Sequence, residues 1–169
     1  LFVAGTLAAG DYAVDRGVLS LGGDLYFEKG FGSGYDFTST TVSPGIHYFL
    51  FRRLSLGVDL NLELRNQGPE EFRNISGYIM AGYHLGRRSG TIFPFFSAGV
   101  GGGKWDSGTA AYDFFGVRAQ AGIIFMFNQY IGLRTVASCT LDTVKPDGST
   151  AQLDGGRIRI GAGVVLHLY

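Results

Sequence analysis

Several things are scarce in this chain of 169 residues, and each scarcity excludes a class of protein. There is one cysteine, Cys139, so no intramolecular disulfide forms, and three scattered histidines do not make a Cys/His zinc finger. Charged residues are 17% of the chain, below the ~25% of a usual soluble domain, and they balance to a net charge of zero. That balance excludes nucleic-acid binding through a basic surface and equally an acidic disordered chain. Only four prolines interrupt it. Long apolar runs are missing: the longest, 121–127, is far below the ~18 residues of a transmembrane helix. Helical periodicity is missing too, because no stretch keeps apolar residues at i, i+3, i+4 and i+7 for three turns. What is abundant is glycine, 28 residues against an expected ~7%, together with 14% aromatics.

Alternation with period two runs through nearly the whole chain. In LSLGVDLNLELR, Leu54, Leu56, Val58, Leu60, Leu62 and Leu64 fall on one face, opposite Ser55, Gly57, Asp59, Asn61, Glu63 and Arg65. Successive strand residues point to opposite faces, so this segment is a strand with one apolar and one polar side. The same pattern appears around 18–28, 39–50, 75–85, 92–105, 114–127, 131–142 and 157–169. In 92–105 a glycine-rich row (Ser97, Gly99, Gly101, Gly103) opposes the apolar one, and Phe93 and Phe95 blur the assignment. The expectation is eight antiparallel strands of roughly ten to fourteen residues. Segments 51–53, 86–90 and 128–130 read as tight turns; 30–36, 66–71, 106–111 and 145–155 read as longer polar loops on the opposite rim.

Alternation does not say which face meets water. Eight rows of large apolar residues overfill an eight-stranded interior, whereas slim Gly/Ser rows suit a narrow lumen. Aromatic residues gather at both strand ends. Tyr48, Phe49, Tyr83, Phe93, Phe127, Tyr130 and Tyr169 lie near the short turns, and Tyr35, Phe37, Phe72, Trp105, Tyr112 and Phe114 near the long loops. They read as the two interfacial girdles of a barrel whose apolar rows face lipid. A soluble lipocalin-like ligand binder would turn the rows inward.

The opening DYAVDRGVLSLGGDLYF, the TVSPGIHYFL strand before LSLGVDLNL, and the IFPFFSAGVGGG strand carry a family resemblance. From about Asp11 to its end the chain resembles the small eight-stranded outer-membrane β-barrels of the OmpA transmembrane-domain, OmpX and opacity-protein type, above all the stand-alone versions of Bacteroidota. The resemblance implies an all-β, up-and-down transmembrane barrel over residues 10–169 in a Gram-negative outer membrane. It implies termini on the periplasmic side, outer-membrane lipid or lipopolysaccharide as surroundings, and a monomer. Its patterns carry no catalytic signature. Members of the group end with an aromatic on the lipid face, whereas parity here puts Leu168 outward and Tyr169 at the rim or lumen side. The apolar LFVAGTLAA at 1–9 reads as the tail of a secretory signal peptide cut near Ala9, against an extension or an extra strand.

On the polar face, Asp24, Glu28, Asp59, Glu63 and Asp142 can meet Arg118, Arg134, Arg157 and Arg159 across the lumen. Charges there need partners, so a salt-bridged core is expected. A static plug is favoured over a gate or narrow channel for small solutes, because eight strands leave little free lumen. A lipid-cleaving enzyme needs a His beside a Ser and a carboxylate near the outer leaflet. His47, His84 and His167 all fall close to the short-turn end on the polar face, so they fail on height. GVGGGKW is not a phosphate loop, since Ala98 replaces its first Gly and Trp105 its Ser/Thr. Cys139 falls on the apolar face, and Arg52, Arg53, Arg87 and Arg88 sit on the turns, facing inner-leaflet phosphates, peptidoglycan or water. No residue set calls for a cofactor or a nucleic acid, and no metal site is expected, a His cluster at the short-turn rim being the alternative to buried, hydrogen-bonded histidines. Any extracellular partner would meet the loops.

Overall fold

The computed structural model describes residues 14–30, 37–67, 70–86, 90–106, 111–146 and 153–169. The apolar start of the chain therefore lies outside the described residues. Eight antiparallel strands run in chain order: β1 (Leu19–Gly30), β2 (Phe37–Phe51), β3 (Leu54–Gln67), β4 (Glu70–His84), β5 (Ile92–Asp106), β6 (Ala111–Met126), β7 (Ile131–Pro146) and β8 (Leu153–Leu168). Each pairs with its neighbour, and β1 pairs with β8 from Leu19↔Leu168 to Tyr26↔Gly161, closing a barrel. Closure satisfies every edge, which is what lets a sheet survive in lipid.

The strands are longer than the alternation suggests, 12 to 16 residues each. The contrast between short turns and long loops is correspondingly weaker. Segment 66–71, read as a loop, is mostly ladder: Asn66 pairs with Glu71 and Gln67 with Glu70, leaving only 68–69 between β3 and β4. On the opposite rim, 85–91 is the longest connection. The physical reason is that backbone pairing continues past the height where side chains turn polar. Polarity marks where the apolar belt ends, not where a strand ends.

Face assignments follow the alternation. Leu25, Val42, Leu60, Ile79, Val117 and Ile160 are exposed on the outer wall, and Asp24, Asp59, Asn61, Glu63, Arg118 and Thr140 are buried inside. The lipocalin-like arrangement is thereby reversed: the apolar rows point out. From Leu54 to Leu64 the outward row of β3 rises about 33 Å, which at a tilt of ~40° is about 25 Å of height, the apolar band of an outer-membrane barrel. Above it the outer face turns charged, with Arg73 paired in register to Asp106 and Lys104 to Asp113. Below it stand Tyr48, Tyr83, Phe127 and Tyr130. Tyr169 lies just past β8 at this rim, exposed, with its hydroxyl donating to the Gln129 carbonyl at 2.6 Å and its ring 5.8 Å from that of Tyr130. Cys139 is exposed on the outer wall.

The aromatic girdles need correction. Phe49 and Phe93 are wholly buried in the lumen. Near the other rim, Phe72, Trp105, Tyr112 and Phe114 stand in the inward register, because Phe72 pairs with Arg65 and Tyr112 with Trp105, which packs on the buried Phe114 cluster. Tyr35 and the Phe37 side chain lie outside the described residues. Proximity to a strand end says nothing about which way a ring points; parity does.

The glycine row of β5 marks a close approach between strands. A Cβ on Gly101 would fall 2.7 Å from Tyr78 Cα and 2.8 Å from its ring, and would press on the Gly77 carbonyl. Gly101→Ala is accordingly expected to destabilise the barrel by about 1–3 kcal/mol, the usual range for overpacking. A urea titration of the folded band on a cold gel measures it, and an unchanged midpoint would contradict the tight β4–β5 approach.

Candidate functional site

The lumen is the one enclosed environment among the described residues, and it is layered. At the short-turn end it is apolar. Phe49, Phe93, Phe95, Met126 and Val165 fill it from four strands, and Val14 and Val18 fold beneath them. The turn at 14–18 is stitched to the rim: Gly17 N–H donates to the Phe49 carbonyl (2.9 Å), Phe49 N–H to the Val18 carbonyl (2.9 Å), and Arg53 N–H to the Val14 carbonyl (2.7 Å). Arg52 adds an ion pair with Asp15 at 3.7 Å. Gly17 has φ +94, a left-handed conformation that glycine adopts without strain. This apolar floor is not expected from the sequence. Its signal is present but weak: Phe49, Phe93, Phe95, Ile124, Val136 and Val165 are apolar residues in the polar register.

Above the floor run two strings of polar side chains. In the lower one Arg134 lies 3.5 Å from Asp24 and donates to Gln120 (3.0 Å), Gln120 donates to Asp59 (3.3 Å), and Asp59 pairs with His47 at 2.8 Å. Tyr26 and Ser97 hang from it. In the upper one Glu63 is the hub. It accepts from Ser39 (2.8 Å), Arg65 (3.2 Å) and Arg157 (2.8 Å), with Arg159 at 3.6 Å. Arg157 continues to Asp142 at 3.3 Å, which accepts the Tyr78 hydroxyl at 3.2 Å. Arg65 and Arg157 also lie about 5 Å from the Trp105 ring centroid, at 5.0 and 4.9 Å. Arg118 stands apart, donating to Asn61 (2.9 Å) over the Tyr78 ring. Glu28 lies beyond the last β1–β8 pair, and its Oε2 is buried without a hydrogen-bond partner. Arg65, Tyr26, Tyr78, Asn61, Gln120 and His47 were not among the expected network residues. All share the inward register, which is the signal that finds them.

The histidines sort differently from a catalytic site. His84 Nε2 lies 3.2 Å from Ser55 Oγ, but its Nδ1 has no partner, and its ring stacks on Phe95 and tilts against Phe49. His47 has the carboxylate, Asp59, but bonds to no serine. His167 is buried edge-on to Phe49 with neither nitrogen bonded. A nucleophile–base–carboxylate chain needs all three on one histidine. Here they are split over two, Ser55 on His84 against the apolar floor and Asp59 on His47 in the lower polar string. Among the described residues no three His, Cys, Asp or Glu side chains gather as a metal site.

A closed barrel with an apolar outer belt and a filled lumen is an arrangement known in solved structures. The fold is that of a small outer-membrane barrel. The chain is similar to Neisserial surface protein A (TM-score 0.62, 14% identity, 88% of this chain and 94% of that one). It is similar to the outer membrane protein OprG of Pseudomonas aeruginosa (TM-score 0.61, 10% identity, 92% and 97%). It is also similar to the outer membrane protein W of E. coli (TM-score 0.57, 14% identity, 88% and 97%). No family model matches the sequence, and no curated protein does either. Such likeness carries the barrel fold; the lumen chemistry is this chain's own.

Proposed function

We propose that this barrel is an integral protein of a Gram-negative outer membrane, non-enzymatic, with its polar lumen as a static core and its connections as the surface that meets other molecules. The observation that carries it is the pairing of an apolar belt of bilayer height outside with an apolar floor and salt-bridged strings inside. A belt of that height has hydrocarbon as its natural surroundings. The outward Arg73, Lys104, Asp106 and Asp113 lie where headgroups begin, which favours outer-membrane lipid or lipopolysaccharide as the contact there. Both described ends of the chain, near residue 14 and at Tyr169, lie at the short-turn rim, which supports a periplasmic placement of the termini.

A narrow channel is the other reading, supported by the charged lumen. The floor of Phe49, Phe93, Phe95 and Met126 argues against it, because a dry apolar constriction is a barrier to ions. The test is twofold. Protein extracted from a washed membrane fraction should migrate faster unboiled than boiled on a detergent gel, and reconstituted protein should be electrically silent in planar bilayers. A protein that washes off the membrane, with no shift on boiling, removes the membrane reading. Stepwise conductance that changes on Asp59→Asn replaces the static core with a channel.

A further inference from the structure

The carboxylates of the lumen strings each have a basic partner: Glu63 meets Arg65, Arg157 and Arg159, Asp142 meets Arg157, Asp24 meets Arg134, and Asp59 meets His47. That distribution leaves Arg118 as the lumen guanidinium, among the described residues, without a carboxylate within hydrogen-bond or ion-pair reach. It is 3% exposed. Its contacts are neutral, the Asn61 amide oxygen at 2.9 Å and the Tyr78 ring at 3.9 Å, and its Nε is buried with no partner. Burying a full charge against neutral groups alone is unfavourable.

Its neighbours share the deficit. Thr140 stands directly opposite Arg118 in the β6–β7 register, 1% exposed, with its hydroxyl unpartnered. Across β7–β8, Thr140 faces Arg157, and Arg159 faces the next inward position, Ser138; the Nε of Arg159 is likewise buried and unpartnered. Directly paired side chains on neighbouring strands start ~5 Å apart and diagonal ones ~7–8 Å, so these groups open onto a common part of the lumen. Three buried donors without acceptors coincide there with a guanidinium that has no carboxylate within ion-pair distance.

We propose that the lumen between Arg118, Thr140 and Arg159 binds one small monovalent anion of halide size. The anion accepts from the Nε–H groups of Arg118 and Arg159 and from the Thr140 hydroxyl, and supplies the charge that no carboxylate brings to Arg118. Entry is from the polar rim of the lumen, since the apolar floor closes the other end. The site depends on the packing of the lumen and not on where the barrel resides, so it stands or falls separately from the membrane reading.

The test uses the folded protein in detergent with bromide as probe. An anomalous difference peak is expected between Arg118, Thr140 and Arg159 in crystals grown with bromide. The unfolding midpoint is expected to rise with the logarithm of bromide concentration relative to gluconate at equal ionic strength, as mass action requires of a ligand bound only by the folded state. Thr140→Val, nearly the same in shape, should keep the heat-modifiable band yet lose the peak and the bromide dependence. Water in place of bromide, or a midpoint identical in the two salts, overturns the proposal. So does a bromide effect that survives Thr140→Val. The wild-type peak decides the matter even if the variant does not fold.

Discussion

Glu63→Ala is expected to lower the stability of the folded barrel by about 3–5 kcal/mol, the range for removing one partner of a buried ion pair. The large value follows from what stays behind. Glu63 is 2% exposed and is shared by three guanidinium groups, those of Arg65, Arg157 and Arg159. Arg157 keeps Asp142 and Arg159 keeps Thr41 at 3.0 Å, so the loss is not total, but the positive charges then crowd one end of the lumen. Trp105, the single tryptophan, lies against Arg65 and Arg157 and reports the event directly through its fluorescence. A urea titration followed by Trp105 emission and by the folded gel band should show both midpoints falling together. Adding Arg159→Met to the variant should recover part of the loss, because Glu63 is the carboxylate that Arg159 reaches and an apolar side chain then replaces an unpaired charge. A midpoint within error of wild type would mean that Glu63 is solvated and the strings are not a packed core.

Ile79→Arg is the second large effect, and it discriminates lipid from water. Ile79 is 61% exposed in the middle of β4, between Val58 and Val100 on the neighbouring strands. On a soluble barrel such a surface change stays within about ±0.5 kcal/mol. Facing the bilayer midplane, arginine costs about 2–4 kcal/mol, falling to ~0–1 near the interface. Ile75→Arg supplies the internal comparison, since Ile75 pairs in register with Lys104 at the charged border. Refolding into lipid vesicles should therefore be impaired much more by arginine at Ile79 than at Ile75. Equal effects at the two positions would place the belt somewhere other than across a bilayer.

Much of the molecule follows from parity alone. A strand turns its side chains alternately in and out, so one correct face assignment in LSLGVDLNLELR propagates through every hydrogen-bonded neighbour. That is why Asp59 and Glu63, or Arg118 and Arg134, far apart in sequence, are legible as inward residues before any coordinates. The slim Gly99–Gly101–Gly103 row is legible for the same reason. Partnership is different. Which arginine meets which carboxylate depends on strand stagger around the closed barrel and on side-chain reach across it. Hence Glu63 collects several guanidinium groups while Arg118 collects no carboxylate.

What the sequence by itself determined is the number of strands, the face of the regularly alternating residues and the apolar exterior, because these are consequences of period two repeated eight times. Only the tertiary structure decided the floor. Phe49, Phe93 and Phe95 are as apolar as the lipid-facing rows, and composition does not tell a girdle ring from a plug. Closing the barrel brings them to one axis with Met126, Val165 and the turn carrying Val14 and Val18. There they bury one another, because a narrow lumen with no room for bulk water favours apolar contact.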